Sequence, residues 1–213
     1  MKAIDQEVEV QAGPVTLRGH LNVPSSACGI VIFAHGSGSS RNSPRNIAVA
    51  HALNKVGLAT LLFDLLTKDE ELDRENVFDI ELLGHRLLDA TLWLQEQEGL
   101  SQLSVGYFGA STGAAAALWA AADPKVNAKA VVSRAGRADM TGPKLAKVHA
   151  PTLLIVGGND EVVIDLNKQA QAQMACENQL VVIPGATHLF EEPGTLEKVS
   201  KLACEWFIKH FAK

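Results

Sequence analysis

Residues 109–113 read Gly-Ala-Ser-Thr-Gly, between an apolar run at 103–108 and an alanine-rich run at 114–122. The pattern predicts a strand, a sharp turn at Ser111 and a helix after it. A serine on such a turn is held in a strained backbone conformation, with strand and helix too close for bulk two residues to either side. Glycine at 109 and 113 removes that bulk. The first-turn N–H groups of the helix then point at the serine and favour negative charge developing there. The stretch marks Ser111 as a candidate nucleophile. It also requires the rest of the chain to supply a sheet, covering helices and a base.

The framework is legible on both sides of it. Residues 7–11 and 15–23 alternate apolar and polar around Gly13-Pro14, which predicts an antiparallel hairpin at a sheet edge. Apolar runs at 30–34, 58–65, 128–133 and 152–156 read as buried strands, and 179–183 reads as a last strand. Helical spacing covers 44–56, 78–98, 163–174 and 195–211, with one short helix expected within 136–148. The charged stretch 67–75, TKDEELDRE, reads as a solvated loop over the top of the sheet. Strands alternating with helices predict an α/β chain: a mostly parallel sheet with an N-terminal antiparallel hairpin and helices on both faces. The 213 residues suit one domain spanning 1–213.

Composition removes several alternatives. A net charge of −5 suits neither nucleic acid nor an anionic membrane surface as partner. The first thirteen residues contain no apolar core of a signal peptide, and no apolar run reaches membrane-spanning length. Cys28, Cys176 and Cys204 lack metal-type or CxxC spacing, which fits reduced thiols in a cytoplasmic protein.

In an open parallel sheet the site lies beyond the carboxyl ends of the strands. Every chemically interesting loop here follows a predicted strand. A serine hydroxyl needs a base, and an imidazole base needs a carboxylate to orient it. Asp160, in Gly157-Gly158-Asn159-Asp160, and His188, in Gly185-Ala186-Thr187-His188, supply both in the order Ser, Asp, His. Asp165, Glu191 and Asp64 are rival acids, and Asp160 is favoured by its strand-end position. His35 sits well but opens the glycine-rich loop 35–40, so it is expected to shape that loop. The other five histidines lie in predicted strands, helices or ordinary connections. The oxyanion needs two backbone donors. They are expected at Thr112 and at Ser37, with Gly36 as the alternative to Ser37. The 35–40 loop lacks the Gly-Lys-Ser/Thr ending of a phosphate-binding loop.

With these motifs together, HGSGSSRNSPRN at 35–46, GASTG at 109–113, GGND at 157–160 and GATH at 185–188, the chain resembles the α/β-hydrolases. Within them it resembles the small esterases of the dienelactone hydrolase type, over nearly its whole length. The resemblance implies Ser111 as nucleophile, Asp160 as acid, His188 as base, and Ser37 and Thr112 as oxyanion donors. It implies no metal or organic cofactor, and a small-molecule ester or lactone as substrate; the sequence sets no oligomeric state. One departure matters: dienelactone hydrolases proper carry cysteine as nucleophile, so Ser111 favours ordinary ester hydrolysis over dienelactone. Lactonase, thioesterase or dienelactone hydrolase-like activity on the same triad is the alternative.

Residues 134–151 are too few for a lid domain, so a small, open, shallow pocket is expected. Arg41, Arg45, Arg134 and Arg137 all follow strand ends on the site's side. An arginine fork binds carboxylate through paired N–H groups. Possible substrate-binding residues are therefore Gly36, Arg41, Arg45 and Arg134, with helix capping or surface ion pairing as the ordinary alternative for the arginines.

Overall fold

The structure, a computed structural model, describes residues 3–212. Eight strands form one sheet in the order β1-β2-β4-β3-β5-β6-β7-β8. β1 (Ile4–Ala12) and β2 (Val15–Val23) make the expected hairpin, and β1 is an edge strand. β2 also pairs antiparallel with β4 (Ala59–Phe63). The remaining pairings are parallel and join β4 to β3 (Gly29–Ala34), β5 (Ser104–Ala110), β6 (Ala130–Arg134), β7 (Thr152–Gly157) and β8 (Asn178–Ile183) in that sheet order.

The period-two alternation of a strand turns side chains to both faces of the sheet, and the central strands are buried and mostly apolar on both. Ile30, Ile32 and Ala34 of β3 face one core with Leu61, Tyr107 and Leu118. Val31 and Phe33 face the other, with Leu53, Phe108 and Phe207. The first face is covered by α3 (Ile80–Glu96), α4 (Thr112–Ala121) and α5 (Glu161–Gln173); the second by α1 (Pro44–Lys55) and α6 (Thr195–Phe211). Every residue of α4 is buried. Its alanines allow that close seat: a Cβ on Gly109 would fall on the backbone of Ala114, and one on Gly84 of α3 would fall on the Trp119 ring.

The strand order places the site. From β3 the chain steps to β4 on one side, and then crosses to β5 on the other. The loops leaving β3 and β5 therefore diverge at the switch point, where open α/β sheets form their crevice. Those two loops carry residues 35–43 and Ser111.

Two expectations need correcting. Residues 67–75 are not a plain solvated loop. Glu70–Leu72 forms a 3-10 turn and α2 (Arg74–Phe78) follows it. The Glu70 carboxylate accepts from the Thr67 N–H at 2.8 Å and from Arg86 at 2.7 Å, and the Glu70 carbonyl accepts from Asn76 Nδ2 at 3.0 Å. Arg86, 5 % exposed, also donates to the Ala12 carbonyl. The segment is thus pinned to α3 and the hairpin. Nothing local in the stretch signals this, because the anchor, Arg86, is remote in sequence. Second, the connection after β6 holds not one short helix but 3-10 turns over Ala138–Lys147, broken at Gly142.

Candidate active site

Ser111 has φ 52° and ψ −122°, the strained conformation expected of the turn. Its backbone is gripped from both sides by the loop after β6. The Ser111 N–H donates to the Arg134 carbonyl at 3.1 Å, and the Arg137 N–H donates to the Ser111 carbonyl at 3.0 Å. That loop is itself strained, with Ala135 at φ 45°. Asn167 of α5, fully buried, steadies it by donating to the Gly136 carbonyl at 2.8 Å. The sequence offered no signal for Asn167, because its partner is a carbonyl thirty-one residues away.

Asp160 caps the N-terminus of α5, and its Oδ2 lies 2.6 Å from His188 Nδ1. The two loops are zipped together. Gly158 N–H donates to the Ile183 carbonyl, Asn159 N–H to the Ala186 carbonyl, and Asn159 Nδ2 to the Gly185 carbonyl. A Cβ on Gly157 would fall on the Ala186 and Thr187 carbonyls, so the glycine permits this approach. The bond to an ionised Asp160 places the proton on Nδ1 and leaves Nε2 as the basic nitrogen. Ser111 and His188 border one cavity of about 210 Å³, together with Gly36, Ser37, Arg45 and Arg134.

The rival acids are occupied elsewhere. Glu191 meets Arg45 at 3.4 Å, Asp165 meets Lys168 at 3.1 Å, and Asp64 receives both the N–H and a guanidinium N–H of Arg41.

The loop after β3 closes tightly over the elbow. A Cβ on Gly36 would sit 3.0 Å from Ser111 Cβ. The Ser37 N–H donates to Thr112 Oγ1 at 2.9 Å, so loop and elbow are joined beside Ser111. Thr112 N–H opens α4, where first-turn donors have no intrahelical acceptor.

His35 organises this loop. Leu65 N–H donates to its Nε2 at 3.1 Å, which leaves the proton on Nδ1 for the Gly36 carbonyl at 3.0 Å. Burial holds the imidazole below its ordinary pKa of about 6.5, against smaller opposing effects of the Gly36 carbonyl, Asp64 and Glu71. The folded state therefore binds fewer protons than the unfolded state just below that pH, and stability falls as pH drops through it. Between pH 7 and 5.5 the wild type is expected to lose Tm, and His35→Gln to show a flatter slope. Parallel slopes in thermal melts would refute the assignment.

The four arginines separate. Arg41 is bound to Asp64 at 2.7 Å and reaches Glu7 at 3.3 Å; Arg137 is bound to Asp139 at 2.7 Å. Arg45 borders the cavity and meets Glu191. Arg134 also borders the cavity, is 6 % exposed, and has no carboxylate partner among the described residues. Burial, and secondarily Arg45, pushes its pKa down to about 10, so it stays cationic at neutral pH. Its guanidinium lies 6.0 Å from the Phe190 ring centroid.

A mostly parallel sheet, a serine on a glycine-flanked elbow after β5, and an Asp–His pair after β7 and β8 define an α/β hydrolase. The model of the dienelactone hydrolase family matches residues 17–211, and the chain belongs to that family. A crystal structure of dienelactone hydrolase from Anabaena variabilis superposes with a TM-score of 0.94, at 53 % identity and covering 99 % of each chain. Est1E from Butyrivibrio proteoclasticus shares the fold, with a TM-score of 0.82 at 19 % identity, over 97 % of this chain and 99 % of its own. Mycobacterium tuberculosis proteins carrying the provisional name phosphoribosyl transferase are 65 % identical over 206 residues. The match covers 97 % of this chain and 46 % of theirs, so the chain spans about half the length of these curated relatives. Among the described residues no helix is long and apolar enough to cross a membrane.

Proposed function

We propose that the chain is a serine hydrolase of small carboxylic esters. Ser111 attacks the acyl carbon while His188 takes its proton at Nε2, oriented by Asp160. The developing oxyanion is held by the N–H groups of Thr112 and Ser37, the latter turning from the Thr112 hydroxyl, with Gly36 as the alternative donor. His188 then protonates the leaving alcohol and activates the water that clears the acyl-enzyme. The observation that carries this reading is the 2.6 Å Asp160–His188 bond bordering the same cavity as Ser111. Lactones and thioesters use the same oxyanion chemistry and are the alternative substrates. A fluorophosphonate probe is expected to label the wild type at Ser111; absence of labelling would overturn the reading.

The transferase named for the mycobacterial relatives belongs, on this reading, to the half of their length that this chain does not span. The shared segment is the one the hydrolase family model covers.

Of the possible substrate-binding arginines, Arg134 is the one we assign to an acidic substrate group, with Arg45 beside it. Arg41 holds the 35–43 loop to β4 instead. A charge-assisted hydrogen bond contributes about 1.5–3 kcal/mol, roughly ten- to hundredfold in kcat/KM. Arg134→Gln is expected to lower kcat/KM for monomethyl succinate at least tenfold more than for dimethyl succinate. Equal losses on the two esters would remove the assignment.

A further inference from the structure

The cavity at Ser111 adjoins a larger cleft. At about 210 Å³ it falls below the roughly 300–1,000 Å³ of whole ligand sites. Gly36, Ser37, Ser39, Ser43 and Arg45 border it, and the same residues border an adjoining cleft of about 570 Å³. The shallow pocket expected from the sequence thus has a larger neighbour, walled in part by Glu71, from the stretch 67–75 that reads as a solvated loop, and by Val77 just beyond it.

The cleft has two kinds of wall. Leu65, Leu66, Leu83 and, from α2, Val77 make an apolar side. Across it stand the hydroxyls of the 37–43 loop. The Ser40 and Ser43 hydroxyls already accept from Asn42 and Asn46 N–H groups, whereas those of Ser37 and Ser39 have no partner among the described residues. The Glu71 carboxylate borders the cleft and has no hydrogen bond or ion pair among the described residues. The wall is built rather than loose, because Glu70 is locked by Thr67 and Arg86 immediately before Glu71.

We propose that this cleft is the subsite for the larger half of the ester, and that this half is a ring bearing hydroxyl groups. The ring's face lies on Leu65, Leu66, Val77 and Leu83. Its hydroxyls donate to Glu71 and exchange hydrogen bonds with Ser37 and Ser39. Such a ring has an apolar face and a polar edge, which the two walls match. A phenol and a sugar share that chemistry, and the experiment distinguishes them. The proposal rests on Ser111 as nucleophile.

The test compares wild type, Val77→Trp and Glu71→Gln. Val77 is half-buried and Glu71 exposed, so both variants are expected to fold, and Val77→Phe provides a second, smaller plug. The substrates are methyl acetate, phenyl acetate, 4-hydroxyphenyl acetate, methyl 4-hydroxyphenylacetate and 6-O-acetylglucose. Val77→Trp is expected to lower the kcat/KM ratio of at least one hydroxylated ring ester to methyl acetate tenfold or more. The ester affected identifies the ring as phenolic or sugar, and as acyl or alcohol part. Glu71→Gln is expected to lower the ratio of 4-hydroxyphenyl acetate to phenyl acetate at least threefold for a phenolic ring, or of 6-O-acetylglucose to methyl acetate for a sugar. Ratios within twofold of wild type for every ring ester, in both position-77 variants, would overturn the proposal. Calorimetric binding of 4-hydroxyphenyl acetate or 6-O-acetylglucose to Ser111→Ala, lost when Val77→Trp is added, supports the subsite independently of turnover. No binding of either would overturn it. Full turnover by Ser111→Ala would instead overturn the nucleophile.

Discussion

Alanine at position 111 is expected to cut turnover of 4-nitrophenyl acetate at least about a thousandfold, equivalent to about 4 kcal/mol of transition-state stabilisation. The protein should stay folded, because the Ser111 hydroxyl makes no hydrogen bond to the described residues and its removal leaves none unsatisfied. The backbone at φ 52° is equally strained with alanine, so the elbow keeps its shape. Steady-state kinetics and a thermal melt on one preparation check both halves. A residual rate comes from binding and oxyanion donors alone. Wild-type turnover by the variant would place the nucleophile elsewhere.

Gly113→Ala is expected to be the most damaging single methyl. The new Cβ would fall on the Ala34 and His35 carbonyl oxygens, and neither can retreat. Both lie at the end of β3, which pairs with β4 and β5 on its two sides. Alanine gains up to about 1 kcal/mol over glycine in a helix, so propensity alone would stabilise the variant. Overpacking against backbone costs about 3 kcal/mol or more and decides the sign. In a chain of this size the difference lowers Tm by several degrees. Because the contact is between the elbow and the 35–43 loop, kcat/KM should fall with it. A variant melting at or above the wild type would show that the loop can move away.

The two positions also differ in how far neighbouring residues alone account for them. Gly109, Ser111 and Gly113 are contiguous, and their spacing states its own physical need. The alternation of apolar runs and helical periods was legible for the same reason: a strand or a helix is written in neighbouring residues. Asp160 and His188 were legible because each ends an apolar strand. The choice of Asp160 over Glu191 rested on position; the structure places Glu191 on Arg45 and Asp160 on His188.

Contacts between distant segments were not legible. Arg86 pins the charged stretch 67–75 through Glu70, beside Glu71 in the wall of the larger cleft. Asn167 holds the strained loop that grips Ser111. Four strand-end arginines looked equivalent, and only their partners divided them.

The sequence by itself determined the α/β class, the elbow with its two glycines, and the order along the chain of the candidate residues Ser111, Asp160 and His188, because each depends on local spacing and chain direction. The tertiary structure alone decided which arginine has no carboxylate partner among the described residues, which carboxylate meets the imidazole, and which cleft adjoins the cavity at Ser111. Those depend on which side chains meet across the crevice between the loops after β3 and β5, and burial and charge pairing there are properties of the assembled sheet.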